Sequence, residues 1–208
     1  MDTIRKLADK FAKFPGNGPR QSLRFVYYLL GLSQSELSDL SESISTLKKR
    51  SYTCVKCNRY FEKKHIDNNL CFICGDNQRT ADTLMVVAKD TDIDSVERGG
   101  VYKGYYFVVG GTIPILEKAP KKIIRFNELQ KTIQSMIKDG LSEIILAFNL
   151  TPEGEYTVEW LGRELEPAIK NTGIKISTLG RGLSTGLELE YSDGDTIKHA
   201  ISNRYRNK

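Results

Sequence analysis

The chain has 208 residues, of which 39% are hydrophobic and 27% charged, and its formal net charge is +5. This composition excludes a disordered or low-complexity chain, and the length allows one domain with appendages or two small domains. Because the N-terminus lacks the apolar core of a secretory signal and no apolar run approaches the roughly 20 residues that cross a bilayer, we expect a soluble, cytoplasmic protein.

Residues 1–51 are predicted to be helical. Apolar residues recur at helical spacing over Ile4–Phe14, and a second helix is predicted over Arg20–Leu30 after an interrupting FPGNGP turn. A third helix is predicted to begin at Ser33, which has Glu36 at the spacing of a capping box. The apolar positions on one side of the second helix are Leu23, Val26, Tyr27 and Leu30, and those of the third are Leu37, Leu40, Ile44 and Leu47.

The stretch FPGNGPRQSLR, residues 14–24, places two closely spaced glycines before a proline at a plausible first helical position. Such a turn exposes backbone N–H groups, here around Gly16 and Gly18, which together with the helix dipole suit a phosphate. Arg20 and Arg24 are spaced i, i+4, so they fall on one helix face that can pair with a nucleic-acid backbone. A plain turn between two helices is the alternative, and the stretch alone leaves both open.

All four cysteines occur in residues 52–80, as two CxxC pairs. Cys54 and Cys57 precede Cys71 and Cys74 at a spacing that lets four thiolates converge on one Zn²⁺. The alternatives are four unrelated thiols or two disulfides, and the absence of a secretion signal disfavours the disulfides. Four thiolates leave no coordination position for water, so we expect a structural ion.

Residues 81–178 are predicted to alternate strands and helices. The predicted strands are TLMVVAK, YYFVVGG, EIILAFN and IKISTLG, and the predicted helices between them are TDIDSVERGG, NELQKTIQSMIKDG and GEYTVEWLGRELEP. Asn127 is the predicted cap of the middle helix and Gly140 its predicted stop. This alternation predicts right-handed βαβ units and a mainly parallel sheet. Residues 179–208 are predicted to form a glycine-rich loop and a final helix.

The order of these parts resembles the RecR family of bacterial recombination mediators over nearly the whole chain. The resemblance is carried by FPGNGPRQSLRFVYYLL, CVKC…CFICGDNQR, DIDSVERGGVYKGYYFVVGG, NLTPEGEYT and LGRGLSTGLELEYSDGDTI. It implies an α+β protein with four parts: a helix-hairpin-helix (1–51), a four-cysteine zinc finger (52–80), a Toprim α/β domain (81–178) and a C-terminal assembly tail (179–208). One departure is Asn17, which stands where such hairpins usually carry an apolar residue.

The resemblance also implies a function in DNA repair and recombination. RecR-like proteins act with RecO, and in some settings with the ATPase RecF, to place RecA on gapped DNA coated with single-strand-binding protein. Many assemble into dimers or rings, including tetramers, that can encircle DNA. We therefore expect a nucleoid-associated homo-oligomer that binds DNA without sequence preference, holds one structural Zn²⁺ and contacts a RecO-like partner.

The same resemblance bears on catalysis. Active Toprim enzymes hold Mg²⁺ with a glutamate after the first strand and an Asp-x-Asp after a later strand. Here Ala88 stands at the glutamate position, and Asn149 and Thr151 stand at the Asp-x-Asp positions. Because these neutral residues cannot replace the carboxylates, we expect the protein not to be an enzyme.

Two glutamates, Glu153 and Glu155, follow these positions in the sequence. They are candidates for a partner-binding surface, since the Toprim surface of the family is implicated in binding RecO. Alternatively, they complement the dipole at the start of a helix. The rival function is a Mg²⁺-dependent Toprim nuclease or topoisomerase-like enzyme that uses these glutamates with Asp90. A protein scaffold without DNA contact is a second rival.

Overall fold

A computed structural model describes residues 2–62, 69–180, 182–183, 186 and 188–204. The chain divides into two compact units, residues 1–52 and 53–208. Part of the glycine-rich tail and His65, the histidine between the two cysteine pairs, lie outside the described residues. Every helix in the described part of the chain is too short or too polar to span a membrane.

Three helices form the N-terminal unit: α1 (Thr3–Phe11), α2 (Pro19–Leu30) and α3 (Gln34–Arg50). As predicted, Pro19 occupies the first position of α2, where its fixed φ favours a helix and its missing N–H costs nothing. The capping box is also present, since the Ser33 hydroxyl accepts from the Glu36 N–H while the Glu36 carboxylate accepts from the Ser33 N–H.

The core of this unit is small. α1 packs against α2, with Ala8 and Val26 buried and the Phe11 ring in edge-to-face contact with Phe14 and Phe25. No residue of α3 is buried. Several apolar positions that the sequence groups on one helix side are exposed, namely Tyr27, Leu30, Leu40, Ile44 and Leu47.

The second unit carries the predicted parallel sheet. Its strands are β3 (Thr83–Val87), β4 (Tyr105–Val108), β5 (Glu143–Ala147) and β6 (Lys175–Thr178), after a two-stranded sheet of β1 (Ser51–Thr53) and β2 (Tyr60–Glu62). The four parallel strands lie in the order β4-β3-β5-β6. The helices are α4 (Asp90–Gly99), α5 (Pro120–Ile123), α6 (Phe126–Lys138), α7 (Pro152–Ile169) and α8 (Gly194–Ser202). The predicted α+β fold is confirmed.

Two helix boundaries differ from the prediction. α6 begins at Phe126 with Arg125 at its cap, so Asn127 lies inside the first turn and is not the cap. The start is fixed by the core, because Phe126 is buried and the Arg125 N–H donates to the Val109 carbonyl at 2.9 Å. α7 begins at Pro152, two residues before the predicted start, and runs on to the buried Ile169. The predicted stop is present, since Gly140 follows α6 at φ +94°.

The sheet separates two hydrophobic clusters. Because successive side chains of a strand point to opposite faces, Leu84 and Val86 belong to one cluster, and Met85 and Val87 belong to the other. The first cluster also contains the buried side chains of α6 and α7. The second contains all four cysteines. One face of the sheet is therefore completed by the cysteine segment.

Candidate metal centre and nucleic-acid interface

The four cysteines converge on one point. The Sγ atoms of Cys54, Cys57, Cys71 and Cys74 all lie within 4.8 Å of one another, and all four residues are buried. The Sγ atoms of Cys57 and Cys71 are 3.6 Å apart. Four thiolates at about 2.3 Å from a tetrahedral zinc would be about 3.8 Å apart. None of the four forms a disulfide. The cluster is a possible metal site, and its donor set fits zinc binding.

The two CxxC turns have the same backbone hydrogen bond. The N–H of Asn58 donates to the Cys54 carbonyl at 3.0 Å, and the N–H of Gly75 donates to the Cys71 carbonyl at 2.9 Å. Each donor lies four residues after the first cysteine of its pair. Asn58 adopts φ +57°, a conformation that asparagine tolerates better than most residues. The repeated turn presents each pair of thiols to the same centre.

Crowding separates the pKa values of the thiols. Hydrogen bonding with Cys57 lowers the pKa of Cys54, and the same contact raises the pKa of Cys57. Contact with Cys54 also raises the pKa of Cys74. The pKa values of Cys54 and Cys71 are thus lowered and those of Cys57 and Cys74 are raised, and the protons that remain would be displaced by a bound cation.

The cysteine segment is joined to the sheet by direct hydrogen bonds. The Val108 N–H, at the end of β4, donates to the Cys57 carbonyl at 2.8 Å. The Arg125 Nη1 atom donates to the carbonyls of Asn58 and Val108, each at 3.2 Å. The Thr132 hydroxyl of α6 donates to the Lys56 carbonyl at 3.2 Å. Order at the cysteine centre is therefore coupled to order in the sheet.

A half-buried polar network makes a second connection. The Arg79 guanidinium pairs with the Glu97 carboxylate and donates to the Gly104 carbonyl at 3.0 Å. The Tyr106 hydroxyl donates to Glu97 Oε1 at 2.6 Å. Burial favours the neutral acid, but the hydrogen bonds from Arg79 and Tyr106 outweigh it and lower the pKa of Glu97. The network ties the end of the cysteine segment to α4 and β4.

The glycine turn between α1 and α2 is held by its central asparagine. Gly16 adopts φ +73°, which favours glycine, and Gly18 is the extended cap of α2. The side-chain amide of Asn17 donates to the Phe11 carbonyl at 2.8 Å and to the Ser22 hydroxyl oxygen at 3.2 Å. Asn17 therefore replaces apolar packing with hydrogen bonds to both helices.

Arg20 and Arg24 lie in the first two turns of α2, and both are exposed. Arg24 Nη1 makes one long hydrogen bond of 3.4 Å to the Gln21 side chain. The Gly18 cap provides no side-chain acceptor for the first-turn N–H groups of α2. Two cations and a helix N-terminus thus lie on one exposed part of the unit, an arrangement suited to phosphate.

Two of the three residues that the resemblance aligns with the Mg²⁺ ligands of active Toprim enzymes, Ala88 and Thr151, have structural roles in this chain. Ala88 is buried just after β3. The Thr151 hydroxyl accepts from the Gly154 N–H at 3.2 Å and so caps α7. A Cβ at Gly154 would lie 2.0 Å from the Asn149 carbonyl oxygen, so this helix start packs tightly on the preceding loop.

The acidic candidates lie apart from a metal-binding geometry. Glu153 and Glu155 are exposed in the first turn of α7. The Asp90 carboxylate accepts from the Tyr60 N–H at 2.8 Å and so holds β2. Among the described residues, the cysteine cluster is the one group of three or more His, Cys, Asp or Glu whose ligand atoms converge. The positions of the ligand atoms therefore favour the four thiols over these carboxylates as metal ligands.

A cleft of about 950 Å³ opens beside Glu155. Its polar lining comes from distant parts of the second unit, and includes Asn149, Glu155, Glu159, Asp193, Asp195 and His199. No local motif in the sequence predicts this cleft, because its lining residues extend from Leu146 to His199.

Comparison with known proteins gives two family matches. Residues 82–180 match the Toprim domain, and residues 182–205 match the family described as RecR, C-terminal. A recombination protein RecR of Dehalococcoides mccartyi is 38% identical over 97% of this chain and 93% of its own length. A second strain of that organism has one at 36%, with the same coverage. A Streptococcus pyogenes recombination protein RecR is 34% identical over 97% of this chain and 96% of its own length.

Proposed function

Because this chain belongs to the RecR family of recombination proteins, we propose that it mediates recombinational DNA repair by binding DNA without sequence preference. The observation that carries the DNA-binding role is the exposed pair Arg20 and Arg24 beside the glycine turn. Arginine contacts to phosphate carry no base information, so this interface would bind any sequence.

The proposed DNA contact combines three kinds of donor. Arg20 and Arg24 supply charge, while the backbone around Gly16 and Gly18 and the first turn of α2 supply N–H groups directed at phosphate. Support comes from the composition of α2, which contains no acidic residue. The cationic face is therefore not neutralised within its own helix.

We propose that the cysteine centre holds one structural Zn²⁺ through Cys54, Cys57, Cys71 and Cys74. A bound ion would offset two of the four thiolate charges and fix two chain turns at one point. The hydrogen bonds from Val108 and Arg125 to the cysteine segment would then transmit that order to the sheet. We propose no catalytic role for this ion.

We propose that the protein binds DNA and does not cleave it. The support is the set of neutral residues Ala88, Asn149 and Thr151, of which Thr151 is used as a helix cap. We propose that Glu153 and Glu155, which are exposed in the first turn of α7, contact a RecO-like protein. Loading of RecA on gapped DNA, in some settings with a RecF-like ATPase, completes the proposed role.

The proposed active form is a homo-oligomer, either a dimer or a ring tetramer, in the cytoplasm and associated with the nucleoid. Leu40, Ile44 and Leu47 follow one side of α3 at helical spacing, and all three are exposed. A row of this kind suits a second copy of the chain, because association would remove apolar surface from water.

The test is fluorescence anisotropy with a labelled oligonucleotide at several salt concentrations. Arg20→Gln and Arg24→Gln should each weaken binding, and each should reduce the slope of log affinity against log salt by about 0.7 on single strands or 0.9 on duplex. Arg163→Gln, an exposed arginine on α7, is the matched control and should change neither quantity. Unchanged affinity and slope in both α2 variants would refute the proposed interface.

A further inference from the structure

Beside its two arginines, α2 exposes two adjacent tyrosines that the proposed phosphate contacts do not use. We infer that Tyr27 and Tyr28 stack on bases of single-stranded DNA and so give the interface a preference for single strands. This inference rests on the proposed DNA binding by α2 and adds to it the class of DNA that is bound.

The helical geometry places these groups together. Residues advance by 100° around a helix, and the buried Ser22 and Val26 mark the side of α2 that faces the interior of its unit. Arg20, Arg24, Tyr27 and Tyr28 lie within about 100° of one another on the opposite side. One exposed surface therefore carries two cations and two aromatic rings.

The exposure of the rings is large. Tyr27 is 61% exposed and Tyr28 is 68% exposed, whereas Val26, the residue before them, is 3% exposed. An aromatic side chain buries more apolar area than most others when it packs, so two adjacent rings left in water offer substantial surface to a ligand. The proposed occupant must cover flat aromatic faces and also neutralise two guanidinium groups.

Single-stranded nucleic acid meets both requirements. Its phosphates match Arg20 and Arg24, and its unpaired bases present flat faces that stack on aromatic side chains. Tyr28 lies one helical turn, about 6 Å, beyond Arg24. A strand whose phosphate contacts Arg24 thus brings a neighbouring base toward Tyr28. The bases of an intact duplex are already stacked on each other, so they cannot use these rings.

The test compares three labelled ligands of equal length by fluorescence anisotropy: an oligothymidine strand, a duplex, and a strand with the same phosphates but abasic sites in place of bases. Wild-type protein should bind oligothymidine more tightly than the other two. The double variant Tyr27→Ala, Tyr28→Ala should lose about tenfold or more in affinity for oligothymidine and little for the duplex or the abasic strand. Its salt slope should be unchanged, because phosphate contacts remain.

Two control variants separate stacking from other effects. Tyr27→Phe with Tyr28→Phe keeps both rings and should retain affinity for oligothymidine. Leu30→Ala removes an exposed apolar side chain from the same helix and should leave all three affinities unchanged. In contrast, Arg20→Gln and Arg24→Gln should weaken the binding of all three ligands. A result against the proposed phosphate contacts can therefore be distinguished from a result against base stacking.

Three outcomes would overturn the inference. Unchanged oligothymidine affinity in the double alanine variant would show that the rings do not contact bases. An equal loss on all three ligands would show that they support the fold or the phosphate contacts instead. A change in molecular mass by light scattering, without a selective loss on oligothymidine, would assign this face to self-association.

Discussion

Similar amphipathic helices are buried to different extents in the N-terminal unit (residues 1–52, the helical unit) and in the second unit (residues 53–208, the sheet unit). In the sheet unit, α6 buries Phe126, Leu129, Ile133 and Met136 in the cluster on one side of the sheet. In the helical unit, α3 has an apolar row of similar spacing and buries none of it. Periodicity therefore identifies the apolar face of a helix, but what covers that face depends on the rest of the fold. In α3 the face remains available to another molecule.

The largest effect should come from the cysteine centre, which is the proposed zinc site of the sheet unit. Cys54→Ser should abolish zinc binding and lower the free energy of unfolding of the sheet unit by several kcal/mol, because the cysteines share a core cluster with Met85 and Val87. Zinc content and the fluorescence of Trp160, the one tryptophan of the chain, would report both changes. His65→Ala should leave one zinc per chain. Full stability in the zinc-free Cys54→Ser variant would contradict the coupling.

The difference in burial between α6 and α3 can be tested by replacing one isoleucine in each helix. Ile133 of α6 is 1% exposed and Ile44 of α3 is 64% exposed. Ile133→Ala should lower the free energy of unfolding by about 2–5 kcal/mol, since it leaves a cavity in a packed core. Ile44→Ala should change the stability of the monomer little and should weaken self-association. Chemical denaturation would measure the stability of the two variants, and light scattering would measure their self-association. Equal destabilisation by Ile133→Ala and Ile44→Ala would contradict the difference in burial between the two helices.

A smaller effect is expected where α7 begins. Gly154→Ala should destabilise the sheet unit by about 1–3 kcal/mol, because the new Cβ would meet the Asn149 carbonyl. Gly162 lies on the same helix with no heavy atom within 4 Å of its would-be Cβ. Gly162→Ala should therefore be neutral or stabilise by up to about 1 kcal/mol. Thermal unfolding of the Gly154→Ala and Gly162→Ala variants would measure the difference in stability. Equal melting temperatures would mean that the start of α7 can move to accept the new Cβ.

The smallest effect is expected in the glycine turn of the helical unit. Asn17→Ala removes the hydrogen bonds to Phe11 and Ser22 and should cost about 1 kcal/mol. Faster amide hydrogen exchange in α1 and α2, with no change in the sheet unit, would be the readout. Lys13→Ala, an exposed neighbour of the turn, should not alter exchange. If Asn17→Ala behaves like Lys13→Ala, these hydrogen bonds do not hold the turn.

Much of the fold could be predicted from the sequence because its signals are local. Alternating apolar segments predict the parallel strands, Pro19 and the capping box of Ser33 and Glu36 mark two helix starts, and the CxxC spacing predicts a four-thiol centre. Each of these depends on residues close together in the chain or on one repeated spacing.

The remaining features depend on tertiary contacts. Asn127 is a reasonable cap by residue type, but the burial of Phe126 moves the cap of α6 two residues earlier, to Arg125. Tyr27 has the spacing of a core residue, yet most of its surface is exposed. The cleft beside Glu155 forms only when α8 lies near the ends of β5 and β6, so no stretch of sequence predicts it.

A gel assay tests most directly whether the protein binds DNA without cutting it, as we propose. Supercoiled plasmid would be incubated with purified, zinc-loaded protein, with and without Mg²⁺, and run on a gel before and after deproteinisation. We predict a retarded band that returns to intact supercoil when the protein is removed, in both conditions. Nicked or relaxed DNA that forms only with Mg²⁺, and is lost in a Glu153→Gln, Glu155→Gln variant, would contradict the account and make the protein an enzyme.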